Sequence, residues 1–371
     1  MLLRLPNCRC LLLLLCLLAT SGGVHAAVEA LVPPPGYRQA VGNSGVGQDC
    51  PAPPAAFDGE LNFPSKYEGS DQARDQLNPE ADEAYRERTR PITDFERGLG
   101  SVVHGFLASG SRETLQCAID WYLVWVDGDG LLGDASTHTG RAVRKWALAT
   151  ISGHWLHLKF SSTQPLAEHP AAARRIERWL GTIADVVVYE WNADEPDKRF
   201  NNHYYWTGWA VMASAVALDR RDLFDWSLAI YRRFSRQIDA VGYLPNELDR
   251  KSRALGYHNY AITPMAMVAA FARANGVDLA ALDGYAIRRL ATRVLVGIAD
   301  PAGFTARTGR KQELGEFRDQ DGQRSGKLAW LEPYCYSVDC SLRTRIKLKS
   351  LRPLASTRLG GDLTRVYGPR H

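Results

Sequence analysis

Two short stretches carry the side chains that handle carboxylates and protons. The first, "NNHYYWTGWAVMASAV" at 201–216, places Asn201, Asn202, His203 and Tyr204 ahead of a nearly apolar run that includes Trp206. Asparagine and histidine donate hydrogen bonds to an anion, and histidine also moves protons near neutral pH. The second, "LPNELDRKSRALGYHNY" at 244–260, supplies Arg253, His258 and Tyr260 around one short loop. Arginine forks onto a carboxylate. A tyrosine near cations has its phenolate favoured, so it can serve as base as well as acid. Each stretch also has a plainer account: Asn202 capping a helix with His203 on the surface, and Arg253 on a surface helix ahead of a buried tyrosine. A third stretch, "SKYEGSDQARD" at 65–75, holds Lys66, Tyr67 and Gly69. It reads either as a glycine-hinged lid or as a surface turn.

Other signals fall short. "DGDGLLGD" at 127–134 imitates a calcium loop, but the twelfth position from Asp127 is His138 rather than glutamate. His154 and His157 lack the HExxH frame of a metalloprotease. No GxSxG, Walker motif or complete GxGxxG occurs. Glu247 and Asp249 could be recruited for glycoside hydrolysis, but two residues apart on a helix they face different ways and read as solvated. "LRTRIKLKSLR" at 342–352 alternates basic and neutral residues. Extended, it would present a basic edge to a polyanion, and its plainer reading is a solvated C-terminal segment.

The elements that must position these residues are helices. In 111–126 the apolar residues Leu115, Ala118, Ile119, Tyr122 and Val126 follow helical spacing, with Ser111 as N-cap. Residues 171–191 repeat the pattern, and so do 222–238, where Asp222 reads as N-cap. Helical periodicity takes over from about Ile92. Between the one-faced helices lie stretches that are apolar nearly all round, at 141–158, 204–218 and 264–274. A helix without a polar face is buried on every side, so an inner helical layer inside an outer one is expected. The fold expected is all-α, an incomplete (α/α) toroid or barrel of antiparallel hairpins. Thr263 reads as the N-cap of the last inner helix, with Pro264 at its first position and Gly276 as its terminator. That puts Tyr260 in a turn, facing the same way as Asn201–His203 at the start of another helix. Helix N-termini of this kind suit an anion.

The chain has 371 residues, enough for one large domain or two ordinary ones. Residues 1–26 read as a secretory signal peptide: Arg4 and Arg9, an apolar stretch from Leu11 to Ala19, and a Val-His-Ala ending. Its apolar core is too short to span a bilayer. Residues 27–64, rich in proline, glycine and alanine, read as an extended arm, and 65–371 as the helical domain with a C-terminal tail. After the leader, 43 basic face 41 acidic residues, a balance that argues against nucleic-acid binding. No membrane-inserted segment is expected. Cys50, Cys117, Cys335 and Cys340 remain in the exported chain, enough for two disulfides. The close Cys335–Cys340 spacing favours a local staple, which leaves Cys50 to pair with Cys117.

Six stretches together resemble the alginate lyases of polysaccharide lyase family 5: "NNHYYWTGWAVMASAVALDRRDLFDW", "GYLPNELDRKSRALGYHNY", "SKYEGSD", "RKWAL", "WLEPYC" and "RLGGDLTRVY". The resemblance runs from about Leu31 to Tyr367. It implies a periplasmic enzyme that cleaves polymannuronate by β-elimination with neither cofactor nor metal. It is also compatible with a monomer and with a place in an alginate biosynthesis or export complex. The resemblance assigns neutralisation of the substrate carboxylate to Asn202, His203 and Arg253, and general acid work to Tyr260. The base is Tyr260 or His203. It puts Lys66 and Tyr67 on a lid, and His138, Arg141 and Trp146 along sugar subsites, with Asn201, Tyr204, Trp206 and His258 as further substrate contacts. Two positions depart from the family pattern: Tyr204 stands where serine is common, and Gly256 where alanine is usual. The alternatives are a glycoside hydrolase on the same toroid, which needs two opposed carboxylates, and a non-catalytic alginate-binding component of an export complex.

Overall fold

Caps and proline placement set the helix starts. In the computed structural model, which describes residues 29–69, 73–192, 194–317 and 326–369, the first helix begins where Asn78 accepts from the N–H of Glu80 and Ala81 and Pro79 takes the first helical position. This helix, α1 (Pro79–Ser109), starts well ahead of Ile92. Its first turns are charged and largely solvent-facing, so they carry little apolar periodicity. Ser111 caps α2 (Arg112–Asp127) as expected, and Thr137 caps α3 (His138–Phe160).

α4 (Pro170–Glu190), α5 (Asn202–Leu218) and α6 (Arg221–Gln237) follow, then the short α7 (Pro245–Leu248). Asp222 is not the cap of α6: the helix starts one residue earlier, and Arg220 ties Asp222 to Asp185 across to α4. The remaining helices are α8 (Ala254–Ala274), α9 (Leu282–Ala299), α10 (Ala302–Thr308), α11 (Leu331–Ser337), α12 (Leu342–Leu351) and α13 (Leu363–Tyr367). Two-residue strands, β1 (Ala355–Ser356) and β2 (Gly361–Asp362), pair antiparallel.

From Leu31 onward the chain forms one unit. α3, α5 and α8 make the inner layer; in α5 every residue but His203 and Leu218 is buried. α6 buries a single stripe through Leu223, Ile230 and Phe234, and α4 another through Ile176, Leu180, Ile183 and Val187. α5 packs between α3 and α8 on the inside and against α6 and α4 outside. The result is an incomplete α/α toroid of antiparallel hairpins.

Two expectations about local structure are corrected. Tyr260 does not lie in a turn, because α8 begins ten residues before Pro264 and carries that proline in its interior. Thr263 is no cap; its hydroxyl donates to the Asn259 carbonyl within the helix at 2.7 Å. The extended alternative for the basic stretch 342–352 is not found: Leu342–Leu351 is a largely exposed helix, capped by Ser341 and seated through Leu348, in keeping with the solvated reading. Within residues 29–64 the chain makes one short 3-10 turn at Pro35–Arg38 and otherwise no helix or strand.

That segment is nonetheless pinned to the helices. The Trp121 and Trp125 indoles donate to the Pro51 and Pro54 carbonyls, and Cys50 is bonded to Cys117 of α2. The second disulfide joins Cys335 and Cys340, so both expected pairings are present. The expected leader, residues 1–26, lies outside the described residues, as do Ser70, Asp71 and Gln72 of the expected lid. No helix among the described residues is long and apolar enough to cross a membrane.

Candidate active site

One cleft of about 290 Å³ opens where the N-terminal ends of α3, α5 and α8 meet the 65–74 loop and the C-terminal segment. Asn202, His203, Arg253, Tyr260, Lys66, Tyr67, His138 and Trp146 all line it. Four further cations join Lys66 and Arg253: Arg74, Arg250, Lys327 and Arg358. No aspartate or glutamate is among the described lining residues. Six cations converging on a concave site suit a polyanion. Among the described residues no group of three or more His, Cys, Asp or Glu side chains could hold a metal.

The cap of α5 is Asn201, whose side chain accepts from the His203 N–H at 3.0 Å. That frees Asn202 for other work. Its backbone N–H and side-chain amide both reach the Glu247 carboxylate, at 2.7 and 3.0 Å. Glu247 is fully buried rather than solvated, because the short α7 turns it in beneath the cleft. Carboxylate oxygens only accept, so the amide nitrogen faces Glu247 and reaches both of its oxygens, the second at 3.2 Å. Burial raises the Glu247 carboxyl to about 6, with Arg250 and the Asn202 bonds opposing.

His203 is no surface residue. Trp191 stacks on it at 5.6 Å between ring centroids, Trp146 at 5.9 Å, and His138 meets it edge-on at 4.6 Å. Lys145 lies 3.0 Å from its Nδ1. Burial first, then Lys145 and His138, push the imidazole well below its ordinary range, so the ring is neutral. Burial, then Lys145 and Arg141, lower His138 to about 4.

Tyr260 is half-buried, with Arg358 Nη1 3.3 Å from its hydroxyl. The expectation that neighbouring cations dominate this tyrosine is corrected. Burial wins and raises the phenol, with Arg358 the main opposing influence. Arg358 reaches the site through a close approach of backbones. Gly360 and Gly361 have φ of +91° and +102°, and a Cβ on Gly153 of α3 would stand 2.8 Å from the Gly360 Cα. The Arg358 carbonyl then accepts from the Trp209 indole at 2.8 Å, and His157 donates to the Gly360 carbonyl at 3.0 Å. The guanidinium also lies 4.4 Å over Trp146.

On the loop side, Arg253 donates to the Tyr67 hydroxyl at 2.6 Å, and Arg250 stacks on Tyr257 at 4.4 Å. Five expected contacts fall away from the lining. His258 is fully buried, donating from Nδ1 to the Ala254 carbonyl and accepting from the Leu244 N–H, both at 2.8 Å. Trp206 packs behind Tyr260, Tyr204 stacks on Phe200, and Asn201 caps α5. Arg141 stands one turn behind His138, its Nε buried without a partner among the described residues.

Lys145, Arg358, Arg250, Arg74 and Lys327 carry no expected role from the sequence. Lys145 had a signal: a lysine inside an otherwise apolar helix is rarely fully buried without reason.

An α/α toroid whose inner helices open onto a cationic cleft, with no carboxylate among its described lining residues, defines a class of protein suited to an acidic polymer. The chain belongs to the alginate lyase family, a family of polysaccharide lyases: its "Alginate lyase" pattern matches residues 62–304. The chain is similar to the alginate lyase of Pseudomonas putida (strain GB-1), 46% identical over 359 residues covering 96% of this chain and 95% of that one. It is equally similar to the alginate lyase of Azotobacter vinelandii (strain DJ / ATCC BAA-1303), 47% identical over 362 residues with 96% and 95% coverage. Its fold matches that of alginate lyase A1-III complexed with tetrasaccharide, with a TM-score of 0.75 at 21% identity over 94% of this chain and 100% of the other.

Proposed function

We propose that this chain cleaves β-1,4-linked mannuronate inside alginate by β-elimination, leaving a 4,5-unsaturated uronate at the new non-reducing end. The observation that carries the reading is the meeting of Asn202, His203, Arg253 and Tyr260 in one cleft whose described lining holds six cations and no acid. The C5 proton of a uronate is weakly acidic because the C6 carboxylate already bears charge. Abstraction adds a second charge there, so donors aimed at the carboxylate lower the barrier. Asn202, His203 and Arg253 supply them.

Tyr260 then takes the C5 proton, the C4–O4 bond breaks as C4=C5 forms, and the same hydroxyl returns a proton to O4. Both groups lie on one face of a β-mannuronate ring, so a single tyrosine reaches them. Lys66 and Tyr67 close over the chain, with Tyr67 tied to Arg253. The buried indole N–H of Trp146, without a partner among the described residues, suits a neighbouring sugar oxygen. A hydrolase would need two carboxylates across the bond, and none is among the described lining residues.

Two disulfides require an oxidising compartment. With residues 1–26 as leader, the enzyme works in the periplasm as a monomer, beside the machinery that makes or exports the polymer. The test is ultraviolet absorbance of the purified chain with polymannuronate and, separately, polyguluronate. The conjugated double bond should appear on polymannuronate and vanish in Tyr260→Phe. Chain shortening without that absorbance would refute elimination.

A further inference from the structure

We propose that Lys145 is a positioning residue that fixes His203 in the tautomer protonated on Nε2, making His203 a donor to the substrate carboxylate and leaving proton abstraction to Tyr260. The inference rests on the lyase reading above and decides which ring nitrogen does what. Lys145 Nζ lies 3.0 Å from His203 Nδ1. As an ammonium Lys145 has donors only, which makes Nδ1 the acceptor and leaves the proton of a neutral imidazole on Nε2. His203 lines the cleft, and with Nδ1 occupied, Nε2 is the nitrogen offered to a ligand.

Burial, then Arg358, pulls the Lys145 ammonium well below its ordinary range, while Glu190 and two indole faces hold the charge in place. Its Nζ stands 3.4 Å over the face of Trp191 and 5.5 Å from that of Trp146, a cation–π arrangement that strengthens when desolvated. Lys145 is fully buried, yet among the described residues no carboxylate pairs with it. The nearby Glu190 is held by Arg144 instead. A buried ammonium without an anion destabilises a fold, so stability does not account for it, whereas control of a catalytic imidazole does.

The rest of the cage fixes the ring but not its proton. Trp191 and Trp146 set its plane, and His138 abuts its edge. The other charged groups that bear on His203, Arg250 and Arg74, are cations that keep the ring neutral without choosing a tautomer.

Nitrogen-15 spectra of histidine-labelled protein test this directly, with His203 assigned by difference from His203→Gln. The expected pattern at neutral pH is a protonated Nε2 and an unprotonated, hydrogen-bonded Nδ1. In Lys145→Met the two tautomers should mix and kcat/KM fall about ten- to a hundred-fold. The melting temperature should hold or rise, because a buried charge has gone. A proton on Nδ1 in the wild type overturns the proposal, and so does a Lys145→Met variant with unchanged tautomer and rate. A wild type that forms no unsaturated ends counts against the lyase reading instead, while its spectra still report the tautomer.

Discussion

Trp206 of α5 donates its indole N–H to the backbone carbonyl of Tyr260 in α8 at 3.2 Å. That carbonyl is available because the residue four positions on is Pro264, which has no N–H to return to it. The indole also packs on the Tyr260 ring at 4.9 Å. One proline thus frees an acceptor, and a neighbouring helix uses it to hold the candidate acid. Trp206→Phe keeps the ring and deletes the donor, and should cost about 1–2 kcal/mol of stability together with a several-fold loss of kcat. The decisive comparison is a double-mutant cycle. Pro264→Ala should stabilise the Trp206→Phe protein more than it stabilises the wild type, because the new helical N–H satisfies the stranded carbonyl. Equal gains in both backgrounds would refute the account.

Arg358 is the strongest influence lowering a phenol that burial otherwise raises. Arg358→Met should lower kcat at neutral pH about a hundred-fold and move the alkaline rise of the rate profile to higher pH. The sign follows from the base being the phenolate: without Arg358 it forms only at higher pH. A profile that loses height without shifting would leave Arg358 a substrate-binding role alone.

The inner helices were legible because a helix without a polar face leaves an unmistakable apolar run, as in 204–218. The Asn202, His203, Arg253 and Tyr260 set was legible through chemistry and resemblance together. Tyr260 was misplaced because Pro264 looks like a helix start, and sequence alone does not reveal that Trp206 compensates for the lost bond. His258 was misread for a related reason: its histidine chemistry is spent on the Leu244 N–H and the Ala254 carbonyl. Arg358 was hidden by distance along the chain, since only the glycine pair at 360–361 brings that segment onto α3.

Glu247 anchors Asn202 from beneath the cleft, so its charge matters even though it never lines the site. Glu247→Gln preserves the shape but offers one acceptor oxygen in place of two. A roughly ten-fold loss of kcat/KM is expected, with the folded state retained. Steady-state kinetics on polymannuronate would show it, and a rate equal to wild type would mean that Asn202 needs no anchor.

The disulfides differ in reach. Cys50–Cys117 closes 67 residues and Cys335–Cys340 only 5. By loop entropy the first contributes about 4 kcal/mol and the second about 2 kcal/mol. Paired serine replacements, compared by urea denaturation, should reproduce that order. A reversed order would show that the short staple acts through native geometry.

Acid should loosen the fold through its buried histidines. Burial lowers His154 and His258 to about 4 and His157 to about 3. An unfolded histidine titrates near 6.5, so below that pH the unfolded chain binds protons that the folded chain refuses. The associated stability is therefore whole above about pH 6.5 and is lost as pH falls towards 4. His258 alone accounts for about 2 kcal/mol by pH 5. Glutamine can donate to the Ala254 carbonyl and accept from the Leu244 N–H without titrating, so His258→Gln should flatten the fall in urea midpoint between pH 7 and 5. If the slope is unchanged, His258 already exchanges its proton in the folded state, and the acid sensitivity belongs to His154 and His157.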